Sequence, residues 1–275
     1  MHNVTKYAQH QLRRGLARST IDQSRYQLSR LHAFHHGDLM TVERPTIEAF
    51  LDSRRLVARS TYNYLSSFAT FYRWAQRNEL TATNPVDGMD RPRLRRQLPR
   101  PVTNEQLEAA MAGADLERRA WITLMAYAGL RCSEVARVER RDLISVGGAW
   151  VLHVVGKGGH ERAVPAHPMV LSAMSGTWAR TGPMFRRADG APWSASEVSR
   201  RVGALHRSLG IDASAHQYRH WFGTNTYAAS DGDLLVVRDL LGHASITTTT
   251  IYTAFSGAAA ATAVGGLPVI GRPAA

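Results

Sequence analysis

The chain has 275 residues, 44% hydrophobic and 20% charged, which is enough apolar material for a real core and excludes a disordered or collagen-like chain. One cysteine, Cys132, excludes an internal disulfide framework. The net charge is +12, and residues 1–100 carry 17 Lys+Arg against 8 Asp+Glu while the remainder carries 17 against 14, a distribution that points to a polyanion, nucleic acid first. Residues 1–20 hold Lys6, Arg13, Arg14 and Arg18 without an apolar core, which reads against a secretory leader. Thr20 is expected to cap a helix carrying Ile21, Leu28, Leu31 and Phe34 that stops near Gly37. Pro45-Thr46 opens a short helix with Ile47, Phe50 and Leu51. Ser60 is expected to cap a longer one, whose Leu65, Phe68, Ala69 and Tyr72 fall at i, i+3, i+4, i+7 and read as core. Its polar flank, with Arg73 and Arg77, is the better face for a DNA contact.

Asn84-Pro85 closes this helical part. Residues 89–101 hold three prolines and five arginines without periodicity and read as an extended basic linker, with Arg93, Arg95 and Arg96 suited to a phosphate backbone. Thr103-x-x-Gln106 is a capping box opening a helix through Met111, and a strongly apolar helix follows from Leu116 to Ala128. The apolar stretch Ala120–Leu130 is shorter than the ~20 residues a membrane span needs, so a cytoplasmic chain with no membrane partner is expected. Between Asp142 and Ala166 the period moves towards two. Trp150–Val155 and Glu161–Val164 read as paired strands joined by a glycine turn. Helices are expected again near Pro168, Ser194, Ala215, Asp233 and Ser245. The tail from Gly257 is rich in Ala, Gly and Pro and carries an apolar patch, Leu267, Val269 and Ile270, expected on a polar surface segment either as a tether to a neighbouring copy or as part of a disordered tail.

Four segments of the second half carry chemistry: Ala128-Gly-Leu-Arg131-Cys-Ser-Glu134, Gly156-Lys157-Gly-Gly-His-Glu-Arg162, His216-Gln-Tyr-Arg219-His220, and Leu241-Gly-His243 with Tyr252 nine residues later. Lys157 stands out because 32 of the 34 basic residues are arginine, and Lys6 is the only other lysine. The glycine turn around Lys157 lacks the P-loop pattern and leads into a strand. His216 and His220 are four apart on one helix, but Gln217 stands where a zinc motif has Glu and no third ligand is evident, so no metal is expected.

In this order and spacing the four segments resemble the catalytic domain of the tyrosine recombinases, the phage integrase and Xer superfamily. The likeness covers about residues 103–255, and the basic helical part with its linker is similar to the family's core-site-binding domain. The resemblance implies a mainly α fold with a small antiparallel β-sheet (α+β) in two domains. These are a helical DNA-binding domain at 1–88, a linker at 89–102, a catalytic domain at 103–256 and a tail at 257–275. It implies Arg131, Lys157, His216, Arg219, His243 and Tyr252 as catalytic residues, with Tyr252 the nucleophile, no cofactor, and a covalent 3′-phosphotyrosyl intermediate. Tyr218 replaces the leucine usual at its place in the family, and no separate arm-binding domain is expected ahead of the first helices.

The chemistry of these residue types agrees. Two planar guanidinium forks, Arg131 and Arg219, suit the non-bridging oxygens of a phosphate passing through a more highly charged transition state. A phenol with a free pKa of ~10 needs a proton acceptor, for which His216 is placed. His243 suits a hydrogen bond to the phosphate. Lys157 can protonate the departing 5′ oxygen, which an arginine effectively cannot. Glu134 reads as orienting Arg131 or supporting the fold, and Arg162 as either a strand-end charge or a phosphate contact. His220 reads as lying behind His216, and Tyr218 and Tyr227 as packing. The expected function is a site-specific recombinase integrating or excising a phage or mobile element. The alternatives are a Xer-type chromosome or plasmid dimer resolvase, a type IB topoisomerase, and a non-catalytic DNA-binding regulator. The expected partners are double-stranded DNA bearing core-type sites, further copies of the chain in a synaptic tetramer, and an accessory directionality factor.

Overall fold

The computed structural model describes residues 1–94, 100–242, 262 and 264–270. The linker arginines Arg95 and Arg96, the helix expected near Ser245, and His243 and Tyr252 lie outside the described residues. The chain divides into two compact units, Met1–Gln97 and Leu98–Ala275, each with its own hydrophobic core.

The first unit is helical: α1 (His2–Arg13), α2 (Arg18–His35), α3 (Arg44–Asp52) and α4 (Ala58–Arg77). The stripe Leu65, Phe68, Ala69 and Tyr72 is buried, as its spacing predicts, against Leu28, Leu31 and Phe50, and the Tyr72 hydroxyl donates to the Leu39 carbonyl at 2.9 Å. Two helix starts differ from expectation. The α2 helix begins ahead of Thr20 because the Ala17 carbonyl accepts from the N–H groups of Thr20 and Ile21, and α4 begins ahead of Ser60 because the Val57 carbonyl accepts from Ser60 and Thr61. Neither N-cap uses a side chain. Arg73, Arg77 and Arg93 are exposed.

The second unit packs helices around α6 and carries a three-stranded antiparallel sheet with one largely exposed edge strand. Its elements are α5 (Asn104–Gly113), α6 (Leu116–Tyr127), α7 (Cys132–Val135), β1 (Leu143–Val146), β2 (Ala149–Val155), β3 (Glu161–Pro165), α8 (Pro168–Ser175), α9 (Ala195–Ser208), α10 (His216–Ala229) and α11 (Leu234–Leu241). Thr103 and Gln106 form the capping box at α5, Ser194 and Glu197 form another at α9, and Asp233 caps α11. The sheet order is β1-β2-β3, with Val154 opposite Arg162 and Val155 opposite Glu161, so Lys157 falls in the β2–β3 turn. The α6 helix is buried nearly all round, since α5, α8, α9 and α10 pack on it. The fold is thus mainly α with a small antiparallel sheet.

The tail patch lies elsewhere than expected. Val264 and Leu267 are buried in the core of their own unit, and Ile270 packs against it, leaving only Val269 of the patch exposed. The Tyr127 hydroxyl donates to the Pro268 carbonyl at 2.7 Å and accepts the Ile270 N–H at 2.9 Å. Tyr127 in turn packs on His167 and Trp221, so α6, α8 and α10 together make the seat.

Candidate functional site

The site starts at the end of α6. The chain turns at Gly129, whose φ of +62° disfavours other residues and where an added Cβ would stand 2.7 Å from the Phe222 ring. This turn stops α6 and sets Arg131 at the N-terminus of α7, three residues before Glu134. The Arg131 backbone N–H donates to Glu134 Oε2 at 2.8 Å, and Arg131 Nη1 donates to Glu134 Oε1 at 2.9 Å.

Two more guanidiniums arrive from distant elements. Arg162 on β3 donates from Nη1 and Nη2 to the two Glu134 oxygens at 3.0 and 2.8 Å. Arg219 on α10 stands with Nη1 3.9 Å from Glu134 Oε2 and donates to the Gly129 and Leu241 carbonyls. Three positive groups therefore surround one carboxylate, a net of two positive charges. Only Arg131 reaches outward: its side chain is 31% exposed, against 5% for Arg162 and 3% for Arg219. An arrangement of this kind attracts an anion and offers it a planar fork.

The electrostatics follow from this packing. Burial alone would raise the Glu134 carboxyl. Hydrogen bonds and charge from Arg162, with Arg131 beside it, instead pull it down to about 2. Burial, then repulsion from Arg131 and Arg162, lowers Arg219 to about 9, which leaves it charged at neutral pH. Burial and the neighbouring Arg219 lower His220.

Of the six residues expected to carry the chemistry, Arg131 and Arg219 converge on Glu134. His216 opens α10 three residues before Arg219, with its ring 4.6 Å from that of His220. Lys157 stands in the β2–β3 turn, and the preceding Gly156 backs onto this cluster: a Cβ there would be 3.4 Å from Glu134 Oε1. Among the described residues no group of three or more His, Cys, Asp or Glu is placed to hold a metal ion. Tyr218 is buried as expected of packing, but its hydroxyl also meets His206 Nε2 at 2.6 Å, while His206 Nδ1 meets the Ala213 carbonyl at 2.8 Å. Tyr227 departs from the packing expectation, because it lies on the outward face of α10 and is exposed. Of the two readings of Arg162, the structural charge is the one its surroundings match, since the side chain is buried and bound to Glu134. Its grip on Glu134 was beyond reach in the sequence, where the two are separated by 28 residues.

The comparisons with known proteins agree with this geometry. The phage integrase family profile matches residues 100–257. Tyrosine recombinase XerC of Xylella fastidiosa (strain M23) is 33% identical over 259 residues, which are 87% of this chain and 87% of that protein. The solved structure of the integrase from mycobacterium phage Brujita is 26% identical, covers 96% of this chain and 92% of its own, and superposes with a TM-score of 0.56. A lambda integrase dimer bound to a COC′ core site shares the fold, with a TM-score of 0.67, 18% identity and coverage of 90% of this chain and 74% of its own. An arginine-lined cradle on this fold, a family match over more than half the chain and identity sustained along its length lead to one conclusion: the chain belongs to the phage integrase family, the tyrosine recombinases, enzymes that cut and rejoin DNA strands by transesterification.

Proposed function

We propose that this chain is a Xer-type site-specific recombinase, acting on double-stranded DNA at a defined core site and resolving repeated copies of that site. The convergence of Arg131, Arg162 and Arg219 on the buried Glu134, with Arg131 open to solvent, carries the chemical part of this reading. The likeness to XerC over 87% of both chains supports the resolvase over the integrase. In the reaction, Arg131 and Arg219 hold the non-bridging oxygens of the scissile phosphate. The Tyr252 oxygen bonds to phosphorus and passes its proton to His216, while His243 donates a hydrogen bond to the phosphate. The bond to the 5′ oxygen breaks, and Lys157 protonates that oxygen as it leaves. The phosphotyrosyl ester keeps the energy of the broken linkage, so a second 5′-hydroxyl reseals the strand by the reverse steps. Arg73, Arg77, Arg93, Arg95 and Arg96 contact the backbone outside the cut, and four copies assemble around two sites. A second reading, integration of a phage or mobile element with an accessory factor setting direction, is favoured by the likeness to the Brujita integrase along 96% of the chain.

The test is a covalent one. On a nicked duplex carrying the core sequence that the wild-type chain selects from a randomised pool, the wild type should form a protein–DNA adduct. Tyr252→Phe, which loses one oxygen, should bind equally and form none. An adduct with the Phe variant would show that the nucleophile is another residue. Recombination between two copies of one selected site supports the resolvase, whereas a requirement for two different sites supports the integrase.

A further inference from the structure

Arg162 has no part in the chemistry above, yet it makes the best-formed ion pair of the site. It grips both oxygens of Glu134, at 3.0 and 2.8 Å, from a side chain only 5% exposed, and its Nη2 also reaches the Gly129 carbonyl at 3.4 Å. What it faces is a carboxylate with two other suitors: Arg131 Nη1 at 2.9 Å and Arg219 Nη1 at 3.9 Å.

The charge balance gives Arg162 a task. A buried carboxylate that loses its main partner keeps its charge and pulls harder on the cations that remain. Without Arg162, Glu134 would draw in Arg131 and Arg219 and cancel the field they present to an anion. We propose that Arg162 is a positioning residue: by neutralising Glu134 it leaves Arg131 and Arg219 charged and oriented for the scissile phosphate. A second contact supports the assignment. The Arg162 side chain lies against Gly242, where an added Cβ would come 3.0 Å from its Cδ, and Arg219 is tied to the neighbouring Leu241 carbonyl. The same pair of arginines thus braces the end of α11 at Leu241 and Gly242. The proposal rests on the reading of Arg131 and Arg219 as phosphate ligands.

The test uses the nicked selected duplex in two forms, one with the ordinary scissile phosphodiester and one with a methylphosphonate, in which a methyl replaces a non-bridging oxygen and the linkage is neutral. Adduct formation is followed in a single turnover at saturating protein. Arg162→Met should slow the phosphodiester reaction by about 100-fold, the scale of losing one transition-state donor. On the methylphosphonate, which needs less positive charge, the loss relative to wild type on the same linkage should shrink to about 10-fold or less. Arg162→Lys keeps the charge but not the fork and should fall between wild type and Arg162→Met. Adding Glu134→Gln to Arg162→Met should restore part of the rate, since the unpaired charge is gone. A wild-type rate for Arg162→Met, or equal losses on the two linkages, overturns the proposal. Should Arg162→Met fail to fold, the ratio of losses for Arg162→Lys on the two linkages decides in the same way. If instead Tyr252→Phe still forms adduct, the reading of the site itself fails, whatever Arg162 does.

Discussion

Glu134 holds a full negative charge where almost no water reaches, and it does so because three cations reach it first. Its folded carboxyl titrates at about 2 against an ordinary 4.5, so its contribution to stability is complete above 4.5 and is lost as pH falls towards 2. Glu134→Gln should therefore be less stable at neutral pH but lose less stability than wild type between pH 4.5 and 2, measured by urea unfolding across that window. Parallel acid limbs for the two proteins would mean that other carboxylates govern it. At this scale the sequence was legible where one short segment holds the whole motif: Arg131 with Glu134, and His216 with Arg219. It was not legible for Arg162, because strand pairing rather than local spacing carries that side chain to Glu134. The His206–Tyr218 pair was hidden likewise, since its partners sit on different helices.

Between residue and molecule stand the helix ends. Where a side chain makes the cap, at Thr103, Ser194 and Asp233, the start of the helix could be read directly. Where no side chain makes it, at Ala17 and Val57, the nearest capping-type residue misled by three positions, because no residue type marks the start. The turn between α6 and α7 is the element on which the site depends most. Gly129→Ala forces a Cβ to within 2.7 Å of Phe222 at a φ of +62°, and the carbonyl that moves is the one accepting from Arg162 and Arg219. The left-handed conformation and the overpacking together should cost about 2–4 kcal/mol. A fall in unfolding free energy accompanied by slowed adduct formation checks this, and unchanged values in both would show that the turn can adjust.

At the scale of the whole chain, charge is divided unevenly: a net of +9 in residues 1–100 and +3 in the remainder. The first unit, with the basic segment that begins near its end, should therefore supply most of the salt-dependent affinity for DNA. Replacing Arg93, Arg95 and Arg96 together by alanine should flatten the dependence of log K on log salt by about 0.9 for each phosphate that is no longer neutralised. An unchanged slope would place those side chains away from the duplex. The second unit is organised around a different long-range feature, the seat that Tyr127 provides for residues 264–270. It reverses the expectation for the tail, whose apolar residues read as a free patch because nothing local reveals a pocket formed by α6, α8 and α10. The seat also orders events during synthesis. A growing chain emerges with Arg131, Arg219 and Tyr252 already made while the side chains of Val264 and Leu267 are still to come. Domains assemble as units once their parts are available. The core behind α6 thus lacks Val264 and Leu267 until everything from Arg131 to Tyr252 has been made, and Leu267 is the last of its buried residues to arrive.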